Sequence, residues 1–211
     1  MARCTSAGCS TAPPRLLIVP GLHDSGPAHW QTWLQRLYRH SLRVVQRDWA
    51  DPDLERWSAT IAATLERAGP GPWIVAAHSF GCLALAHHLA TRGGNVAPSQ
   101  RIAAALLVAP AEPLKFGVGE RLPQQRLPLL SRVVASDSDP WMSADSARLW
   151  ARRWGSHWTN LGDAGHINAE AGFGPLPLAR RWLLAVEQRL TREQRAARPL
   201  APPAPAWRFA V

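Results

Sequence analysis

The chain is poor in several residue types that carry function elsewhere. Only three of its 211 residues are cysteine: Cys4, Cys9 and Cys82. With two of them among the first nine residues, neither a disulfide framework nor a metal-ligand pattern is present, and a reduced, cytoplasmic setting is expected. Acidic residues number 15 against 24 basic ones, and Lys115 is the single lysine. The arginines scatter along helix-like segments instead of forming a run, so the net charge of +9 is not a nucleic-acid footprint. Abundant Arg, Ala and Pro together fit a GC-rich bacterial genome. No stretch of 18 apolar residues exists, which excludes a membrane-spanning helix. The opening Met1 to Cys9 has no apolar centre and does not read as a secretory signal. Residues 1–14 read as a disordered leader, and internal repeats are absent.

What the chain does have is a regular alternation of short apolar runs and amphipathic stretches. Strands are predicted at 15–19, 42–46, 73–77, 102–108, 131–136 and 157–161, and helices near 28–39, 53–68, 80–92, 143–154 and 176–192. That alternation specifies an α/β fold with a doubly wound, mainly parallel six-stranded sheet. One domain over 15–192, about 175 residues, is long enough to bury it. Residues 193–211, rich in Pro and Ala, read as a flexible tail. Of eleven tryptophans most are expected to pack, Trp30, Trp33 and Trp57 at core-compatible helical positions.

The pentapeptide Ala77-His78-Ser79-Phe80-Gly81 lies between the run Trp73-Ile74-Val75-Ala76 and the helix-like stretch from Cys82. A serine with small residues two before and two after it, at a strand-to-helix junction, is a nucleophile elbow. The turn strains the serine backbone and lifts its Oγ above the sheet edge. A serine hydroxyl needs a base, and the base needs an orienting acid, in the chain order Ser, Asp, His. Asp139-Pro140 closes the turn after the fifth strand, and His166 opens the glycine-rich loop after the sixth. Loops at the carboxyl ends of parallel strands share one rim, so Ser79, Asp139 and His166 are expected to converge. Asp137, as a turn cap, and Asp163 are the rival acids. The oxyanion hole would use the backbone N–H groups of Phe80 and Leu22, the latter in the loop after the first strand. Ser25 or Asp24 would cap the following helix, with Pro27 in its first turn. His23, Trp141 and Trp49 approach the same rim; each is a candidate substrate contact, with loop ordering or core packing as its alternative role.

These residues resemble the small single-domain serine hydrolases related to retinoblastoma-binding protein nine, in the α/β-hydrolase superfamily. The resemblance covers roughly residues 15 to 190 and rests on three blocks. The first is Val19-Pro20-Gly21-Leu22 with Ser25-Gly26-Pro27 and His29-Trp30-Gln31. The second is Gln46-Arg47-Asp48-Trp49 with Pro52 and Trp57. The third joins His78-Ser79-Phe80-Gly81, Asp139-Pro140 and Gly162 to Asn168. It implies a Ser79–Asp139–His166 triad, hydrolase activity and no cofactor or metal. The Leu-x-Cys-x-Glu tag for retinoblastoma-type pockets is absent, so that partner is not implied. A minimal α/β-hydrolase sheet would have strand order 2-1-3-4-5-6. The segment Ala109 to Leu130, with four prolines, is too short for a large cap domain, so a shallow, mostly open site is expected.

The expected reaction is hydrolysis of a small ester, or a related acyl bond, through an acyl-enzyme. The substrate would be a small molecule, with no nucleic-acid or membrane partner. The alternatives are a low-turnover interaction module on a hydrolase scaffold, and an acyltransferase or amidase using the same triad.

Overall fold

A computed structural model describes residues 14–69, 71–92 and 102–196. Six strands and five α-helices follow one another in the order β1 (Arg15–Val19), α1 (Trp30–Leu37), β2 (Leu42–Arg43), α2 (Leu54–Ala68), β3 (Trp73–Ser79), α3 (Phe80–Arg92), β4 (Ile102–Pro110), β5 (Leu130–Ala135), α4 (Ala144–Trp154), β6 (His157–Asn160) and α5 (Pro177–Ala196). Every strand pair is parallel and the order is β2-β1-β3-β4-β5-β6. The chain turns from leftward to rightward growth between β1 and β3, which puts the crevice at the carboxyl ends of those two strands.

The sheet is buried on both faces, and its side chains alternate accordingly. Leu17, Val19, Val75, Ala77, Ala105 and Leu107 face α2, α3 and α4, whose Leu54, Trp57, Ile61, Leu83, Ala147 and Trp154 complete that layer. Leu16, Ile18, Ile74, Ala76, Leu106 and Val108 face α1 and α5, covered by Trp30, Leu34, Ala179 and Leu183. Trp30, Trp57, Trp73 and Trp154 are all within the fully buried set. Trp33 is half-buried on the second layer.

Several boundaries differ from the sequence reading. β2 ends at Arg43 because it is an edge strand with one neighbour; Val44 still donates to Ile18 O (2.9 Å) but Val45 turns out to solvent. β3 runs two residues further, through Ser79, which registers with Pro110 of β4. α5 extends to Ala196, past the boundary expected at 192, with Arg189 paired to Glu193 one turn on (2.8 Å). The leader up to residue 13 and the tail from 197 lie outside the described residues. α1 starts at Trp30, and its cap is neither Ser25 nor Asp24. His29 caps it, Nδ1 accepting the N–H of Gln31 at 3.1 Å. Ser25 instead donates to Gln31 Oε1 (2.5 Å), and Asp24 pairs with Arg43 (2.7 Å).

The segment between β4 and β5 forms two short 3₁₀ turns, Pro113–Phe116 and Gly119–Arg121, and no large cap is present among the described residues. No helix there is long and apolar enough to cross a membrane. The thiol of Cys82 is unpaired and buried, and burial pushes it well above the usual cysteine range.

Candidate active site

The elbow is built by two backbone constraints. Ser79 has φ +52, a left-handed conformation that a non-glycine residue holds at a cost of roughly 1–3 kcal/mol. It is tolerated because β3 on one side and α3 on the other fix both flanks. Glycine at 81 lets α3 lie directly on the end of β1: a Cβ there would sit 2.2 Å from Pro20 O and 2.7 Å from Val19 O. Gly21 is equally tight, since its Cβ would meet Ser79 Cβ at 2.6 Å. The loop after β1 and the elbow are therefore in backbone contact.

Ser79 Oγ lies 2.9 Å from His166 Nε2, and His166 Nδ1 lies 2.9 and 3.0 Å from the two carboxylate oxygens of Asp139. The Asp139 side chain is 2 % exposed and that of His166 is 9 % exposed, so the contact between them is shielded from water. Asp139 also accepts the N–H of Trp141 at 2.9 Å, which fixes the carboxylate plane. The rival acids are engaged elsewhere. Asp137 accepts from Asn160 Nδ2 (2.6 Å), and Asp163 accepts from Ser138 Oγ. Ser136, fully buried, donates to Gly162 O and accepts the N–H of Ala164, both at 2.9 Å, which ties the acid loop to the histidine loop.

Three residues not singled out from the sequence hold this geometry. His78 Nε2 donates to the backbone carbonyl of His166 at 3.0 Å, anchoring the histidine loop to the strand that carries the nucleophile. Gln31 Nε2 donates to Val19 O (3.1 Å) and Ala76 O (2.9 Å), stitching α1 to the ends of β1 and β3. Arg43 binds Asp24 Oδ1, Ser25 O, Thr32 Oγ1 and Gln35 Oε1, all at 2.7–2.9 Å. Gln31 and His78 both lie in the sequence blocks that carry the resemblance, His29-Trp30-Gln31 and His78-Ser79-Phe80-Gly81, but nothing local announces their positioning roles.

A cavity of about 370 Å³ opens over Ser79, a size suited to a small ligand. Leu22, Phe116 and Trp141 supply apolar lining, and His23, Asp24, His29, Asn168 and Glu170 supply polar lining. Trp141 stands at its mouth, 44 % exposed, with its ring centroid 6.2 Å from that of His166. Lys115 Nζ lies 5.5 Å from that ring and donates to Pro140 O at 2.8 Å. Trp49 does not reach the cavity. It packs edge-on against Trp57 at 5.9 Å, and its carbonyl accepts the N–H of His23 at 3.0 Å. Phe80 is the first residue of α3, and its ring is buried against Trp57 and Phe116. The N–H of Leu22 has no backbone partner among the described residues, whereas that of His23 is committed to Trp49. No group of three or more His, Cys, Asp or Glu there is placed to hold a metal ion.

The sequence profile of the serine hydrolase family matches residues 16–185. The chain belongs to the serine hydrolase family. A Pectobacterium atrosepticum protein described as a YdeN-like hydrolase is 37 % identical, over 89 % of this chain and 94 % of its own, with a TM-score of 0.72. The ydeN product of B. subtilis shares the fold at 20 % identity, over 82 % of this chain and 98 % of its own, TM-score 0.66. Est1E of Butyrivibrio proteoclasticus does so at 15 % identity, over 89 % and 90 %, TM-score 0.60. No curated protein matches the chain. Family membership and fold together make this an α/β-hydrolase with hydrolytic activity.

Burial of imidazoles around the elbow makes a testable statement about pH. Burial, then the Arg43 charge, pushes His29 down to about 4; burial and then the Arg92 charge do the same to His88; burial holds His78 well below its usual value. An unfolded chain takes up these protons as pH falls through about 6.5, while the folded chain refuses them until about 4. Stability is therefore full above about pH 6.5 and declines as pH falls towards 4, His29 and His88 each costing about 2 kcal/mol by pH 5. Urea denaturation midpoints should fall clearly between pH 7 and pH 5; equal midpoints would show that these rings are protonated in the folded state.

Proposed function

We propose that the chain is a carboxylesterase-like serine hydrolase, cleaving small ester or related acyl bonds through Ser79, His166 and Asp139. The observation that carries this reading is the unbroken relay from Ser79 Oγ through His166 to Asp139, each step near 2.9 Å, beneath an open cavity. His166 Nε2 takes the Ser79 proton while Oγ forms a bond to the substrate carbonyl carbon. The resulting oxyanion is held by the N–H groups of Leu22 and Phe80; the unpartnered state of Leu22 supports that role. Losing one such donor typically raises the barrier by roughly 3 kcal/mol. His166 then returns the proton to the leaving oxygen, which departs as an alcohol, and Ser79 keeps the acyl group. Water, deprotonated by His166, attacks the same carbonyl and releases the acid. Asp139 accepts from Nδ1 throughout and stabilises the imidazolium. The cycle needs no cofactor.

The limited cavity and the exposed Trp141 at its mouth favour short or flexible acyl groups over long buried chains. A fluorophosphonate probe tests the nucleophile. Wild type should take up one probe per chain and Ser79→Ala none, with the variant's circular dichroism unchanged. A labelled Ser79→Ala chain would sink the assignment.

A further inference from the structure

Gln31 has no exposed surface, and its whole amide is committed around the elbow. The amide nitrogen has two hydrogens to give. One goes to the carbonyl of Val19, the last residue of β1, at 3.1 Å, and the other to Ala76 O in β3 at 2.9 Å. The amide oxygen accepts from Ser25 Oγ at 2.5 Å. One side chain of α1 therefore grips the loop after β1 at both ends, Val19 and Ser25, and also the strand that leads into Ser79. Leu22 lies midway between those two grips.

The loop needs such a grip. His23 and Asp24 are consecutive non-glycine residues at φ +64 and +63, a backbone conformation that persists only where the surroundings over-determine it. Arg43 holds Asp24, and the Trp49 carbonyl holds the His23 N–H, but neither bonds to β3. The Val19 peptide is also where α3 rests, since a Cβ at Gly81 would meet Val19 O at 2.7 Å. Phe80 sits immediately before that contact.

We propose that Gln31 is the positioning residue of the oxyanion hole: by holding Val19, Ser25 and Ala76 together it sets the spacing of the Leu22 and Phe80 N–H groups. This rests on the hydrolytic reading above and on the donors assigned there. Gln31 does not line the cavity, so its effect passes through those two groups. Donors aimed at a developing oxyanion act on the transition state, so misplacing them lowers kcat and leaves substrate binding alone.

Two substitutions test it. Gln31→Met keeps the length of the side chain and removes all three bonds. Ser25→Ala removes only the bond at the far end of the loop. Leu183→Ala, a buried α5 position in the same core layer, is the control for lost stability. Each protein is assayed with p-nitrophenyl butanoate and with propyl trifluoromethyl ketone, which carries the same acyl chain. Ser79 Oγ adds to the ketone carbon, the hydroxyl proton passes to His166, and the carbonyl oxygen becomes an oxyanion; no group leaves. Gln31→Met should lower kcat about 10- to 100-fold with KM within about twofold, and weaken inhibition by the ketone by a similar factor. Ser25→Ala should move both quantities together by about three- to tenfold, and it decides alone if Gln31→Met does not fold. Leu183→Ala should melt at a lower temperature with kcat and inhibition kept. Four results would overturn the assignment: kcat within twofold of wild type in every folded variant of the pair, a loss carried by KM, a fall in kcat with unchanged inhibition, or the same loss in Leu183→Ala. Fluorophosphonate labelling of wild type is read in parallel. Wild type that fails to label would take down the hydrolytic reading itself, whereas normal labelling with any of those four results would remove only the role of Gln31.

Discussion

Asp139→Asn is expected to lower kcat/KM for short-chain esters by about four orders of magnitude while the protein stays folded. The size follows from where the carboxylate oxygens point. In the native site they accept from His166 Nδ1 and from the Trp141 N–H, so both contacts require an acceptor. An asparagine oxygen would remain with the Trp141 N–H, and its amide nitrogen would then face His166 Nδ1. An N–H donor there turns Nδ1 into an acceptor and moves the imidazole proton to Nε2. A protonated Nε2 cannot take the proton of Ser79. Neither rival acid rescues the loss, because Asp137 is held by Asn160 and Asp163 by Ser138. Asparagine has the same shape as aspartate, so thermal melting should stay close to wild type. A rate within tenfold of wild type would show that Asp139 does not orient the base.

Gly81→Ala should cost at least about 3 kcal/mol of stability and abolish activity in whatever folds, beyond the usual range for one added methyl. The clash is with backbone carbonyls of Val19 and Pro20, at 2.7 and 2.2 Å, which cannot rotate out of the way as a flexible side chain would. Relief requires α3 to lift from β1, and the Ser79 turn and the Phe80 N–H move with it. Gly26→Ala is the matched control for stability, since a Cβ there meets nothing within 4 Å. Urea denaturation of the two variants gives the comparison. Equal midpoints would mean that the elbow is looser than its backbone contacts require.

The strand order was legible because the central strands β1, β3 and β4 are buried on both faces and read as continuous apolar runs, while α1, α2 and α4 each carry a polar face. Ser79, Asp139 and His166 were legible because each lies at a loop whose turn residues mark a strand's carboxyl end. Gly81, the Pro that follows Asp139 and the glycines around His166 are local signals, visible without the fold. His29, Gln31, Arg43 and His78 were not legible as parts of the site. Their roles depend on what stands across the sheet edge: Gln31 bonds to Ala76, 45 positions away, and His78 to His166, 88 positions away. The cap of α1 was misplaced for a related reason. Ser25 and Asp24 have the right chemistry to cap, but Gln31 and Arg43 claim them first. Trp49 misled through its position near a strand end. β2 stops after two residues, and the chain then carries that ring over Trp57 instead of to the cavity.

The triad itself is most directly tested by acid-quenched mass spectrometry during turnover of p-nitrophenyl butanoate, with the adduct mapped to a peptide. The expected result is a butanoyl group on Ser79 that accumulates within the first turnovers and disappears when substrate is exhausted. Turnover with no acyl adduct at any time resolution, or with the acyl group on a residue other than Ser79, would contradict it.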